Sequence, residues 1–502
     1  MNTIKGLLGL NPQQNQLPKF EGDDVYPTAL LDDTKSFRDM ILYWTFHFND
    51  VLDPDKLHTS LARLLEIGDW KKLGGRQRIN DQDKLELHVP KTFTNERPSV
   101  KYSSRVIDMN IDDHPVAKRF PKASTKPSIH PGDQEFKEFA TTSDDAFNGS
   151  DLLFGDKPQM SLNVVSFKDA TLVSLVWPHT LMDAEGLQAL LQNWSLVLAG
   201  RENEVVPLLG ARQDVTCDIA ETPVDQDEDL HIAHKRVSGF KLFVFGMRFL
   251  WDLFWHGKPQ YRTIFMPKAT IAKVRNQALQ EMTATPNVVG NEKPFISEGD
   301  VISAWTARMV ALSDPRQLPV SILNAANLRN RFELLTRSTG VYVQNLAIVV
   351  FAFVSPALIR GPLGPVALAN RKHVVDQTTQ PQLRALLQTL LSESRKGIEV
   401  VLFGEPKMLL VIITNWTKAY LTQAADFSSA VIRQGEATET RKNDLGQMTQ
   451  VYLSAAKDSI MSKNVMIMKS KDNEGNYWLE GLFVPRTWVK IEEEIARLAS
   501  DE

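Results

Sequence analysis

A chain of 502 residues exceeds the roughly 250–300 residues at which a single hydrophobic core stops growing, so two domains are expected. With 43% hydrophobic and 24% charged residues, the chain has the composition of a globular protein and not of a disordered one. Its formal net charge of −4 builds in no attraction to nucleic acid, leaving a small molecule or a protein as the expected partner. Cys217 is the one cysteine, so no intrachain disulfide can form. The N-terminal stretch MNTIKGLLGL lacks the longer apolar region and small-residue cleavage site of a secretory leader, and the cytoplasm is the expected compartment.

After YPTALLDDT, the segment FRDMILYWTFHFNDVL is periodic, and DPDKLHTSLARLLEIGDW sets Leu57, Leu61, Leu64 and Leu65 at helical spacing. Asp53 and Pro54 supply the cap and first position of that helix. LGGRQRI and KLELHVP predict short strands around a turn at Asn80-Asp81. Residues 90–160, rich in Pro, Lys, Asp and Ser, predict loops around short elements. QMSLNVVSF, Lys168-Asp169 and ATLVSLVWP then predict strand, turn and strand. The helix DAEGLQALLQNWSLVLAG follows directly and ends at Gly200.

Residues 201–238, with acidic residues at Asp225, Asp227, Glu228 and Asp229, predict a linker. The longest apolar stretch, GFKLFVFGMRFLWDLFW, is shorter than the ~20 residues a membrane span needs. Its Lys241, Arg248 and Asp252 fall near one side of a helix and leave a wide apolar face. A helix docked on the protein's own core is expected; a helix lying on a membrane surface is the alternative.

The second half opens with a strand, YRTIFMP, and a helix from about Lys268 to Met282. SEGDVISAWTARMVAL predicts a helix capped by Ser297, with Asp300 in its first turn. VSILNAANLRNR and VYVQNLAIVVFAFV predict buried strands. A long helix is expected over 376–399, then strands in MLLVIITNW and YWLEGLFVP and an amphipathic helix from Trp488 to Ala499. Interleaved strands and helices define an α/β or α+β class. The expected division is 1–205, a linker 206–258, and 259–502.

The stretch that carries chemistry is WPHTLMDAEG, residues 177–186. His179 stands where a buried strand ends and a helix is about to begin. A neutral imidazole there can take the proton of an O–H or N–H group as it attacks a carbonyl. Asp183 is positioned as the N-cap of the following helix, and Gly186 permits close approach of backbone or ligand. One His and one Asp make no metal site, and no GxSxG elbow marks a serine hydrolase.

HTLMDAEG, placed after a strand, resembles the HxxxDxxG motif of BAHD acyltransferases, including their fungal trichothecene acetyltransferase-like branch. YPTALLDDT, LARLLEIGDWKKLGGR, SEGDVISAW, NLRNR, VYVQN, ITNW and YWLEGLFVP resemble other segments of that family in the same order, over nearly the whole chain. Two departures stand out: DFSSA, residues 426–430, replaces the family's DFGWG, and Gln344 replaces the glycine of YxGN.

The resemblance implies two chloramphenicol-acetyltransferase-like domains with an active-site channel between them, acyl-CoA (acetyl by default) as co-substrate, and no metal. It implies a small-molecule acceptor bearing a hydroxyl or amine on a specialised metabolite, no nucleic acid, no membrane span and a monomer. His179 would be the general base. Trp416 would face the oxyanion with its indole N–H, and Thr414 would contact acceptor or intermediate. Asp183 would pair with Arg329 and, with Gly186, hold the catalytic loop. Ser303, Asp426 and Phe427 would serve coenzyme binding. Two other readings of the same fold are a condensation-type domain acting on carrier-bound substrates and a catalytically silent binding protein. Condensation domains typically show HHxxxDG, whereas here Pro178 precedes His179 and Glu185 precedes Gly186.

Overall fold

The computed structural model describes residues 20–141, 149–223, 228–283, 295–398, 400–437, 439, 441–456 and 463–500. The N-terminal decapeptide and the acidic Asp225 and Asp227 lie outside them. In chain order the main strands are β1 Ile41–Phe48, β2 Lys101–Val106, β3 Ser128–Pro131, β4 Ser161–Ser166, β5 Thr171–Pro178, β6 Gln260–Met266, β7 Val320–Asn327 and β8 Ala347–Val354. They continue with β9 Leu409–Asn415, β10 Met448–Ala455, β11 Val465–Lys471 and β12 Tyr477–Phe483. The main helices are α1 Pro54–Leu64, α2 Ala184–Leu198, α3 Gly239–His256, α4 Lys268–Thr283, α5 Glu298–Ser313, α6 Leu363–Gln377, α7 Gln380–Arg395 and α8 Pro485–Ser500.

A five-stranded sheet has the order β10-β1-β5-β4-β2. Its central strand β5, TLVSLVWP, is buried at every position, as a continuous apolar run requires when both faces are covered. Helices α1 and α2 pack on it through Leu57, Leu61, Leu187, Leu190 and Trp194. A seven-stranded sheet has the order β8-β7-β9-β11-β12-β6-β3, covered by α4, α5, α6 and α8.

The two sheets exchange strands: β10 comes from late in the sequence and joins the first sheet, whereas β3 from the first half edges the second. A buried polar cluster sits at this crossing. The Asp133 carboxylate meets Lys469 Nζ at 2.5 Å and accepts from the Leu453 amide at 2.7 Å. Thr263 Oγ1 lies 2.6 Å from Glu480 and 3.2 Å from Asp133, and its one proton can serve only one of the two carboxylates. Burial, reinforced by Asp133, pushes the Glu480 carboxyl up to about 8.

Three expectations are corrected. The helix expected over 376–399 is α7, Gln380–Arg395. Asp376 belongs to the last turn of the preceding α6, and Pro381 restarts the helix after Thr379 takes an extended conformation. VYVQN is not continuous with β8: Val341–Tyr342 pairs with Leu208–Leu209, and the ladder resumes at Ala347. Side chains claim the intervening backbone, since Arg329 donates to the carbonyls of Tyr342 and Gln344.

The third concerns α3, which does not bury its apolar face on the core. Its buried residues are Phe245 and Asp252. Phe240, Phe243, Met247, Leu250, Trp251, Phe254 and Trp255 stand exposed. The charges decide the orientation, because Arg316 holds Asp252 against the protein through bonds of 2.9 and 3.0 Å.

Candidate active site

The two sheets face each other across a cavity of about 420 Å³, lined in large part by apolar side chains, into which His179, Thr414 and Trp416 all project. His179 follows the last residue of β5. Its amide donates to the Met40 carbonyl at 2.8 Å, and its own carbonyl accepts from Asn345 Nδ2 at 2.8 Å. The ring stacks on Phe37 with centroids 4.0 Å apart and an interplanar angle of 1°. Nδ1 is buried with no hydrogen bond of good geometry among the described residues, which leaves Nε2 as the nitrogen for a ligand.

Burial lowers the His179 pKa below its ordinary 6.5, opposed in part by its own carbonyl, the Asp183 carboxylate and Asn345. The imidazole is therefore neutral at pH 7. If it acts as a base, kcat/KM should fall with a single ionisation as pH drops below 6.5 and stay level from pH 7 to 8. A pH–rate profile with its acid limb above pH 7 would contradict this.

Asp183 caps α2, accepting from the Gly186 amide at 2.8 Å. The same carboxylate accepts from the Leu346 amide at 3.0 Å and from both terminal nitrogens of Arg329 at 2.9 Å. It thus joins the start of α2 to the loop before β8, and through them the two sheets. Gly186 is required by backbone, not by a ligand: a Cβ there would lie 2.1 Å from the Val343 carbonyl oxygen.

Thr414 lies opposite Ile467 in the parallel pairing of β9 with β11, one pair before its end at Asn415. Trp416 follows the strand, its amide donating to the Met468 carbonyl at 3.0 Å. Its ring leans on Trp44 at 5.0 Å between centroids. The indole N–H has no acceptor among the described residues, so it is available to a ligand.

The residues expected to serve coenzyme binding are not brought to this cavity. Ser303 is buried inside α5. Phe427 is a core side chain, inaccessible to solvent and packed between Phe48 and Trp194 at 5.3 and 4.6 Å. Asp426 is exposed and closes a turn, accepting from the Ser428 amide at 3.1 Å. Gly446, at φ +74°, packs so closely that a Cβ would lie 2.2 Å from the Ser428 nitrogen.

Asn345 and Asp32 were not singled out by sequence. The Asn345 side chain bridges Asp32 Oδ1 and the His179 carbonyl, both at 2.8 Å. Burial raises the Asp32 pKa to about 7. Both residues lie in segments that resemble the family, VYVQN and YPTALLDDT, which was the available signal. Nothing local marks Phe37 as the residue that stacks on the imidazole.

A buried histidine at a strand end, held by its backbone, thus stands in a largely apolar channel between two mixed sheets. No family model matches the chain. Whole-chain relatives do. It is 35% identical over 494 residues to O-acetyltransferase PaAT-2 of Phomopsis amygdali, covering 95% of this chain and 98% of that protein. It is 33% identical over 481 residues to acetyltransferase pyiB of Pyricularia grisea, covering 95% and 94%. Among solved structures, F. sporotrichioides TRI101 complexed with coenzyme A and T-2 superposes with a TM-score of 0.67 at 14% identity, covering 94% of this chain and 98% of that one. The chain belongs to the BAHD-type acyltransferases, in their fungal acetyltransferase branch.

Proposed function

We propose that this protein transfers an acyl group, acetyl by default, from acyl-CoA to a hydroxyl (less readily an amine) of an apolar specialised metabolite, acting as a monomer. The observation that carries the reading is a neutral His179 imidazole sharing one largely apolar cavity with Thr414 and the indole of Trp416. The names of the relatives support acetyl and oxygen as donor group and acceptor atom. The TRI101 complex supports coenzyme A and a bulky small molecule as the two ligands of this fold.

In this reading His179 Nε2 takes the acceptor proton while the acceptor oxygen forms a bond to the thioester carbonyl carbon. The carbonyl electrons move onto oxygen, and the indole N–H of Trp416 donates to that oxyanion. Collapse breaks the carbon–sulfur bond, and the imidazolium returns its proton to the leaving thiolate, so the histidine ends neutral. Thr414 contacts the acceptor or the tetrahedral intermediate. Asp183, Arg329 and Gly186 fix the loop that carries His179.

Free-thiol release from acetyl-CoA, measured with a pool of hydroxylated metabolites, tests the reading. Release that depends on both the pool and His179 is expected. Absence of release, together with no binding of any common acyl-CoA by calorimetry, would refute it. One oxyanion donor is typically worth about 10²–10³ in kcat. Trp416→Phe should therefore lower kcat at least about 10²-fold with KM little changed; an unaltered kcat would remove Trp416 from the mechanism.

A further inference from the structure

We infer that α3 is an interfacial helix that seats the protein on the surface of a bilayer containing anionic lipid. Spaced at 3.6 residues per turn, Leu250, Phe243, Phe254, Met247, Phe240, Trp251 and Trp255 occupy a continuous arc of about 140° with no charged residue inside it. Their exposures run from 54% to 81%. Together they present apolar surface on the order of 900 Å², larger than the roughly 300–600 Å² patch of an ordinary monomer.

The helix is inverted relative to an ordinary surface helix. Its acid, Asp252, is turned inward to Arg316, and Arg248 reaches back to the Pro406 carbonyl at 3.4 Å. Phe245 and Phe249 fasten it over Met408 and Leu410. The contacts that hold α3 thus leave its aromatic face pointing away from the protein.

Three observations select a membrane as the occupant. Lys241 and Lys258 are exposed at either end of the helix and no acid is exposed along it, which complements anionic headgroups. Phenylalanine and tryptophan on one face with basic residues at its margin is the composition of helices that lie in the headgroup region. No described helix is long and apolar enough to cross a membrane, so the contact is with the surface. A second copy fits less well. One antiparallel helix covers a seam narrower than this arc, and twofold pairing would bring Lys241 of one copy toward Lys258 of the other with no acid between them.

The placement also bears on the acceptor. Lys463 and Asn464 line the groove beneath α3, and the next residue, Val465, lines the cavity that holds His179. A membrane-dissolved acceptor would meet the protein on the side where the cavity approaches α3. That consequence rests on the proposed function; the membrane contact does not, because vesicle binding is read without turnover.

The test is flotation of the full chain with phosphatidylcholine vesicles and with vesicles carrying phosphatidylserine. The wild type should float with the phosphatidylserine vesicles. The triple variant Phe240→Ser, Phe254→Ser, Trp255→Ser should lose at least about tenfold in partitioning, with an unchanged circular dichroism spectrum because these side chains are exposed. Lys241→Glu with Lys258→Glu should weaken binding to phosphatidylserine vesicles by at least about thirtyfold. Wild type that stays in the soluble fraction with both vesicles overturns the inference. So does a triple variant that floats as well as wild type, or a wild-type dimer by ultracentrifugation that the triple variant dissolves, which would make a second copy the occupant.

Discussion

His179→Ala is expected to lower kcat by about 10²–10⁴-fold, the usual contribution of a positioned general base, while leaving a folded protein. The structure separates the two effects. The bonds that hold this position run through its backbone, from its amide to the Met40 carbonyl and from Asn345 to its own carbonyl, and alanine keeps both. The lost ring contact is a stacking on Phe37 at the wall of a cavity, where solvent can fill the space. Near-wild-type turnover in a folded variant would show that the imidazole is not the base. Loss of the cooperative unfolding transition would show that it is structural.

Asp183→Ala should act in the opposite way, through stability first. It strips acceptors from the Gly186 and Leu346 amides and from both terminal nitrogens of Arg329. Breaking a mostly buried ion pair on one side costs about 3–5 kcal/mol, and loss of a helix N-cap adds about 1 kcal/mol. The expected result is a fall in Tm of at least about 5 °C or loss of soluble protein. Asp183→Asn, which can still cap α2, should fall between wild type and the alanine variant. A variant with wild-type thermal stability and no activity would assign Asp183 to the chemistry instead.

The same residues show how much of the site was legible. HTLMDAEG gave His179, Asp183 and Gly186 together because a strand end, a helix cap and a close backbone approach are local events written in adjacent residues. NLRNR and ITNW placed Arg329, Thr414 and Trp416 through ordered similarity alone, since nothing in their local spacing ties them to His179. The core placement of Phe427 was not legible, because an apolar residue in a family segment does not report whether it faces a ligand or the core.

By itself the amino-acid sequence determined the periodic elements: α1 with Asp53 and Pro54 at its start, β4 and β5 about their turn, α2 from its cap, and α5 with Ser297 and Asp300. Local periodicity and caps depend on residues within a turn or two of one another. The tertiary structure alone decided the long-range partners: β10 in the first sheet, β3 in the second, and Asn345 between Asp32 and His179. It also decided the orientation of α3. Helical spacing in GFKLFVFGMRFLWDLFW reveals an apolar face, but which face turns inward depends on Arg316, 64 residues beyond Asp252. A buried carboxylate must meet its cation, and that pairing, with the inward packing of Phe245 and Phe249, turns the aromatic side outward.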